Sequence, residues 1–82
     1  MVVIMITPRQ IRAARALLGW SQQQLADKAI VSLNAVTRLE KAKVDSRVST
    51  LVAIEKALAK AGIDFLPAGD RGEGVRLRSP KM

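Results

Sequence analysis

Along this chain, apolar residues recur at helical spacing in four successive stretches, and the first three share one preceding signal. An apolar residue, a Ser or Thr, three residues and a second apolar residue occur as Ile6-Thr7-Pro8-Arg9-Gln10-Ile11, Trp20-Ser21-Gln22-Gln23-Gln24-Leu25 and Val31-Ser32-Leu33-Asn34-Ala35-Val36. The hydroxyl accepts a hydrogen bond from a free N–H of the first helical turn, and the apolar pair staples the entering chain to the helix. Gln10 and Gln24 complete a capping box in the first two. Pro8 sits at the first helical position, where its missing N–H costs nothing. The pattern predicts helix one over residues 8–18, stopped at Gly19, with Ile11, Ala14, Leu17 and Leu18 inward and Arg9, Arg12 and Ala16 turned away. Helix two follows over 22–29 with Leu25, Ala26 and Ala29 inward, and helix three over 33–41 with Val36 and Leu39 inward. Leu51, Ile54 and Leu58, flanked by Ala57 and Ala61, predict helix four over 50–61, capped by Ser49 and ended by Gly62.

After Gly62 the period changes. Ile63-Asp64-Phe65-Leu66 reads as extended, residues 67–74 are rich in turn formers, and Val75-Arg76-Leu77-Arg78 alternates as a half-buried strand does. The expected fold is mainly α: a compact four-helix domain over 7–62 with a C-terminal β-hairpin over 63–78 and a frayed tail over 79–82. Residues 1–6 admit either a short strand or an extension without fixed structure. With Trp20 and Phe65 the only aromatic residues, Ala, Leu, Ile and Val must build the core.

Composition narrows the function. Eighty-two residues allow one domain. Fourteen Lys plus Arg against seven Asp plus Glu leave a net charge of +7, so the expected partner is anionic: nucleic acid first, an acidic membrane surface second. Without Cys there is no disulfide or thiol chemistry, and without His the commonest general base and metal ligand is missing. The seven carboxylates are scattered, and no phosphate-loop or nucleophile-elbow pattern occurs. We therefore expect no enzyme, no cofactor and no metal. No apolar run approaches the roughly 18 residues of a membrane span, so a cytoplasmic, membrane-independent protein is expected.

Helices two and three are separated only by Ile30, Val31 and Ser32. That spacing fits a helix-turn-helix, or an ordinary helical hairpin in a small bundle. The basic charge and the polar outer face of helix three favour the first, which puts helix three in the DNA major groove while helix two crosses the backbone. Ser32, Leu33, Asn34, Thr37 and Arg38 are then the candidate base contacts. Arg reads guanine and Asn adenine. Leu33 suits a thymine methyl, and Thr37 a base or a phosphate. Gln22 opens helix two, whose free N–H groups suit a phosphate.

Ser21-Gln22-Gln23-Gln24-Leu25-Ala26, Val31-Ser32, Val36-Thr37-Arg38-Leu39-Glu40-Lys41, and Leu51, Ile54 and Leu58 resemble the Cro/phage-repressor-like (XRE) helix-turn-helix family over about residues 8–61. The resemblance implies sequence-specific binding of double-stranded DNA, usually by a homodimer and usually to regulate transcription. It marks Gln22 as a phosphate contact and Lys41, Lys43 and Arg47 as backbone clamps, and it pairs Arg15 of helix one with Glu40. The sequence departs from the family pattern at Ile30 and Ala42, where Gly is usual, and at Ser46, where Pro is frequent. Strands also replace the fifth helix after Gly62. Phe65, Leu66, Val75 and Leu77 are too much apolar surface to leave exposed on a small domain, so the hairpin is the expected homodimer interface. The alternative is an antitoxin-type module that uses the hairpin to hold a toxin and still binds its own operator.

Overall fold

The computed structural model describes residues 6–41 and 47–78. Within them the chain runs α1 (Pro8–Leu18), α2 (Gln22–Ala29), α3 (Leu33–Glu40), α4 (Val48–Lys60), β1 (Ile63–Leu66) and β2 (Gly74–Leu77). The expectations for residues 1–5, for the tail over 79–82, and for Ala42, Lys43 and Ser46 lie outside the described residues. No described helix is long and apolar enough to cross a membrane.

The three Ser/Thr signals start helices where the pattern places them. Thr7 and Gln10 close a capping box on α1, Ser21 and Gln24 close one on α2, and the Ser32 hydroxyl accepts the Ala35 N–H at 3.0 Å. Helix four begins earlier than expected, and Ser49 is not its cap. Arg47 holds that place with extended backbone and no side-chain capping bond, because a guanidinium has no acceptor to offer; its carbonyl receives the N–H groups of Thr50 and Leu51, each at 3.1 Å. Helix three ends at Glu40, with Lys41 closing it.

Ile11, Ala14, Leu25, Ala26, Val36, Leu39, Ile54, Leu58 and Ile63 form one buried core. The small side chains Ala14 and Ala26 let their helices approach closely, and Trp20, Val31 and Leu51 pack around the rim. Leu17 is a correction: it is 46% exposed. The inward stripe of α1 is Ile11, Ala14 and Leu18, spaced by three and four, and Leu17 falls off it.

Ile30 closes α2 at φ 56° and ψ 51°, the only described non-glycine residue with positive φ. The left-handed turn lets the Val31 N–H reach back to the Ala26 carbonyl at 3.0 Å, which folds Val31 against the core and aims the chain into α3. A β-branched side chain strains this conformation. The side chain is 90% exposed and contributes little packing. Ile30→Gly should therefore stabilise the fold by roughly 0.5–1.5 kcal/mol, the strain relieved less the chain entropy that glycine adds to the unfolded state. A lower melting temperature for the glycine variant would refute this.

The two strands pair antiparallel, Ile63 opposite Leu77 and Phe65 opposite Val75. These four residues share the face turned to the helices, and Phe65, Val75 and Leu77 pack on the core. Strand β2 lies against α1, and β1 against α4. The loop end is latched by Gln10, 3% exposed, whose Nε2 donates to the carbonyls of Leu66 and Gly74 at 2.9 Å each. Glu73 accepts bonds from the Thr7 hydroxyl and from Arg9 Nε, both at 2.8 Å. At the other end Arg78 donates to the Ala59 carbonyl at 2.6 Å and pairs with Asp64. It thereby caps the C-terminus of α4. Arg76 joins Asp64 at 3.2 Å.

Arg9 and the Thr7 hydroxyl hold Glu73 below its ordinary pKa of 4.5, and Arg78 with Arg76 holds Asp64 below its ordinary 3.8. For a carboxylate depressed by folding, the stabilisation is present above the unfolded pKa and is lost as pH falls through the folded one. The melting temperature should thus decline once pH drops below those ordinary values. Both groups meet solvent, so the decline is shallow. In Glu73→Gln it should be shallower still; an unchanged pH profile in that variant would remove Glu73 from the account.

Candidate nucleic-acid interface

The α2–turn–α3 unit is built so that one side of α3 is committed to the core. Val36, Leu39 and Glu40 are buried, which turns Leu33, Asn34 and Arg38 outward, with Ser32 exposed at the helix start and Thr37 half-buried beside them. All five candidate base-reading residues are brought onto one surface, and Leu33 is 42% exposed. Two of them are already engaged through their oxygens: Ser32 caps α3, and Thr37 Oγ1 donates back to the Leu33 carbonyl at 3.0 Å. Ser32, Asn34 and Arg38 form one wall of a surface groove whose other wall is Arg47 and Thr50 at the start of α4. Arg47 therefore lies beside the outer face of α3, and exposed Lys41 follows its last turn. Lys43 lies outside the described residues.

Behind this face sits a polar hub. Glu40 is 4% exposed. Its carboxylate accepts Arg15 Nε at 2.6 Å and Arg15 Nη2 at 2.9 Å, a bidentate form of the pair that the family resemblance implies. The hydrogen bonds to Glu40 raise the Arg15 pKa further, against the opposing effect of burial. Arg15 also donates to the Trp20 carbonyl at 2.9 Å, so one guanidinium ties α1 to the approach to α2 and to the end of α3. Arg12 is exposed, turned away from the core as expected, and donates to the Glu40 carbonyl. Gln22 gives one N–H to the Glu40 carboxylate at 2.9 Å. Its carboxamide keeps a second N–H for another acceptor. The first residue of α2 and the last residue of α3 are thus fixed to each other.

The arrangement is a three-residue turn between two short helices, an outward face on the second and a buried ionic lock beneath it. Residues 11–65 match the family model for this helix-turn-helix. The chain belongs to the Cro/phage-repressor-like (XRE) helix-turn-helix family. A search of curated proteins found no match. As a member of this family the protein is a DNA-binding helix-turn-helix regulator. Two residues of this helix-turn-helix protein escape sequence reasoning. Gln10 is legible as a capping residue, but nothing local announces its second role across the hairpin. Arg12 lies three residues before Arg15, the only hint that both reach the same partner.

Proposed function

We propose that this protein binds a specific double-stranded DNA sequence in the cytoplasm and regulates transcription there, with α3 in the major groove. The outward set of Ser32, Leu33, Asn34, Thr37 and Arg38 on α3, opposite its buried Val36, Leu39 and Glu40, carries the reading. Arg38 reads guanine, and Asn34 reads adenine. Gln22, Lys41, Lys43 and Arg47 hold the backbone and set the register. Two copies act together, because one such unit spans only a few base pairs and a two-fold dimer reads half-sites about one helical turn apart. The hairpin joins them through Leu66, which faces away from the helices, and through the remaining exposed parts of Phe65, Val75 and Leu77.

Selection of bound duplexes from a random pool tests this. The expected product is a motif of two related half-sites. Arg38→Ala should relax one position in each and cost about 1–3 kcal/mol there. Equal affinity for all duplexes overturns specific recognition. An unchanged motif with Arg38→Ala removes Arg38 from base reading. A single unpaired half-site, bound by a chain that remains monomeric at high micromolar concentration, rejects the dimer and leaves the hairpin to a protein partner such as a toxin.

A further inference from the structure

Resting on the major-groove reading above, we propose that α3 selects its site through the 5-methyl groups of thymine, with Leu33 and Thr37 forming a single methyl-reading row. The first observation is the Thr37 hydroxyl. It has one proton, and that proton is spent on the Leu33 carbonyl at 3.0 Å. Phosphate oxygens only accept, so Thr37 has no donor for the backbone while this bond persists. The bond also fixes the χ1 of a residue that is already stiff, and so fixes where its methyl points. Chemically, Thr37 is presented to a partner as a methyl group and a spare lone pair.

The second observation is Leu33. It is the first residue of α3, a large apolar side chain left 42% exposed, with Thr37 one turn further along the same side. Asn34 and Arg38 have the same four-residue spacing and form a neighbouring row of opposite chemistry. The exposed surface of α3 is therefore two parallel stripes, one apolar and one hydrogen-bonding. Among the four bases only thymine offers an apolar group in the major groove; the other edges are donors and acceptors. An apolar stripe set against water or phosphate gains nothing, whereas against thymine methyls it removes apolar surface from both sides. The site should contain thymines under the Leu33–Thr37 stripe, next to the purines read by Arg38 and Asn34.

Uracil substitution tests this directly, since it removes the methyl and leaves every hydrogen-bonding group in place. In the duplex obtained by selection, each thymine is replaced in turn by uracil. One or more replacements should weaken binding by roughly fourfold for each methyl lost from a buried contact. Leu33→Ala should weaken binding to the thymine duplex and abolish the difference between thymine and uracil at its position. Thr37→Val, which keeps a methyl and drops the hydroxyl, should still distinguish thymine from uracil at its position, whereas Thr37→Ser should lose that distinction together with the factor that uracil costs. Matching melting temperatures for the variants ensure that binding and not folding is compared. A selected motif indifferent to uracil at every position overturns this proposal alone. So does loss of affinity in Thr37→Val with retention in Thr37→Ser, which assigns the contact to the hydroxyl. Absence of any selected motif overturns the major-groove reading and this proposal with it.

Discussion

Glu40→Ala should cost the fold about 3–5 kcal/mol, the range for removing one partner of a buried ion pair. The reason lies in what is left behind. Arg15 cannot shed its proton, so its guanidinium would remain charged with two donors aimed into an empty space. Gln22 would lose its tie to α3 at the same stroke. The Arg15 side chain is 21% exposed and Glu40 3%, so water reaches one end of the pair and the loss should fall toward the lower part of the range. A domain of this size has a total stability of only about 5–15 kcal/mol, so even that loss unfolds a measurable fraction. Urea titration should show a lower midpoint with an unchanged slope, the signature of altered stability without an altered unfolded state. Arg15→Ala should cost a similar amount. The double variant should cost clearly less than the two losses added together, because the second truncation removes a charge that the first had stranded. A loss below about 1 kcal/mol for Glu40→Ala would place the pair among ordinary surface salt bridges.

The same hub shows how far the sequence could be read. Arg15 and Glu40 are 25 residues apart, and only the family resemblance joins them. Gln22 reaches Glu40 through tertiary packing that no local spacing encodes, and Arg12 is hinted at only by lying three residues before Arg15. The first three helices are legible because their starts are written in local chemistry: a hydroxyl and an apolar staple within one turn, joined in the first two by a Gln three residues after the hydroxyl. The start of α4 is not, because its N-cap is Arg47, whose side chain has no acceptor to mark the place, and Ser49 only looks like a cap. Ile30 is legible as an anomaly. The turn needs a left-handed residue whatever occupies it, and the structure keeps that geometry with isoleucine in place. The outward face of α3 follows from helical spacing alone. The hydrogen bond that turns Thr37 from a donor into a methyl depends on its rotamer and is invisible in sequence. The hairpin was foreseeable as two strands, but its docking on α1 through Gln10 and Glu73 was not.

DNA affinity should fall about a thousandfold to ten-thousandfold between 50 and 200 mM salt, if a dimer neutralises six to eight phosphates. Each neutralised phosphate releases condensed counterions and contributes about −0.9 to the slope of log affinity against log salt. The cations assigned to the backbone are Lys41 and Arg47, exposed after the last turn of α3 and at the start of α4, and Lys43 between them in sequence. Glu40, the one carboxylate in α3, does not oppose them, because it is buried and paired with Arg15 before DNA arrives. Lys41→Ala should lower the slope by about 1 for each protomer bound while leaving the selected motif unchanged, since a phosphate contact carries register and not sequence. Arg38→Ala should change the motif instead. The contrast separates the two roles within a single helix: a variant that flattens the salt dependence without altering preference acts on the backbone, and one that alters preference acts on a base. Affinity that is flat across this salt range would mean that the charges around α3 do not meet phosphate. A slope half the expected size, with a single half-site, would mean that one protomer binds alone.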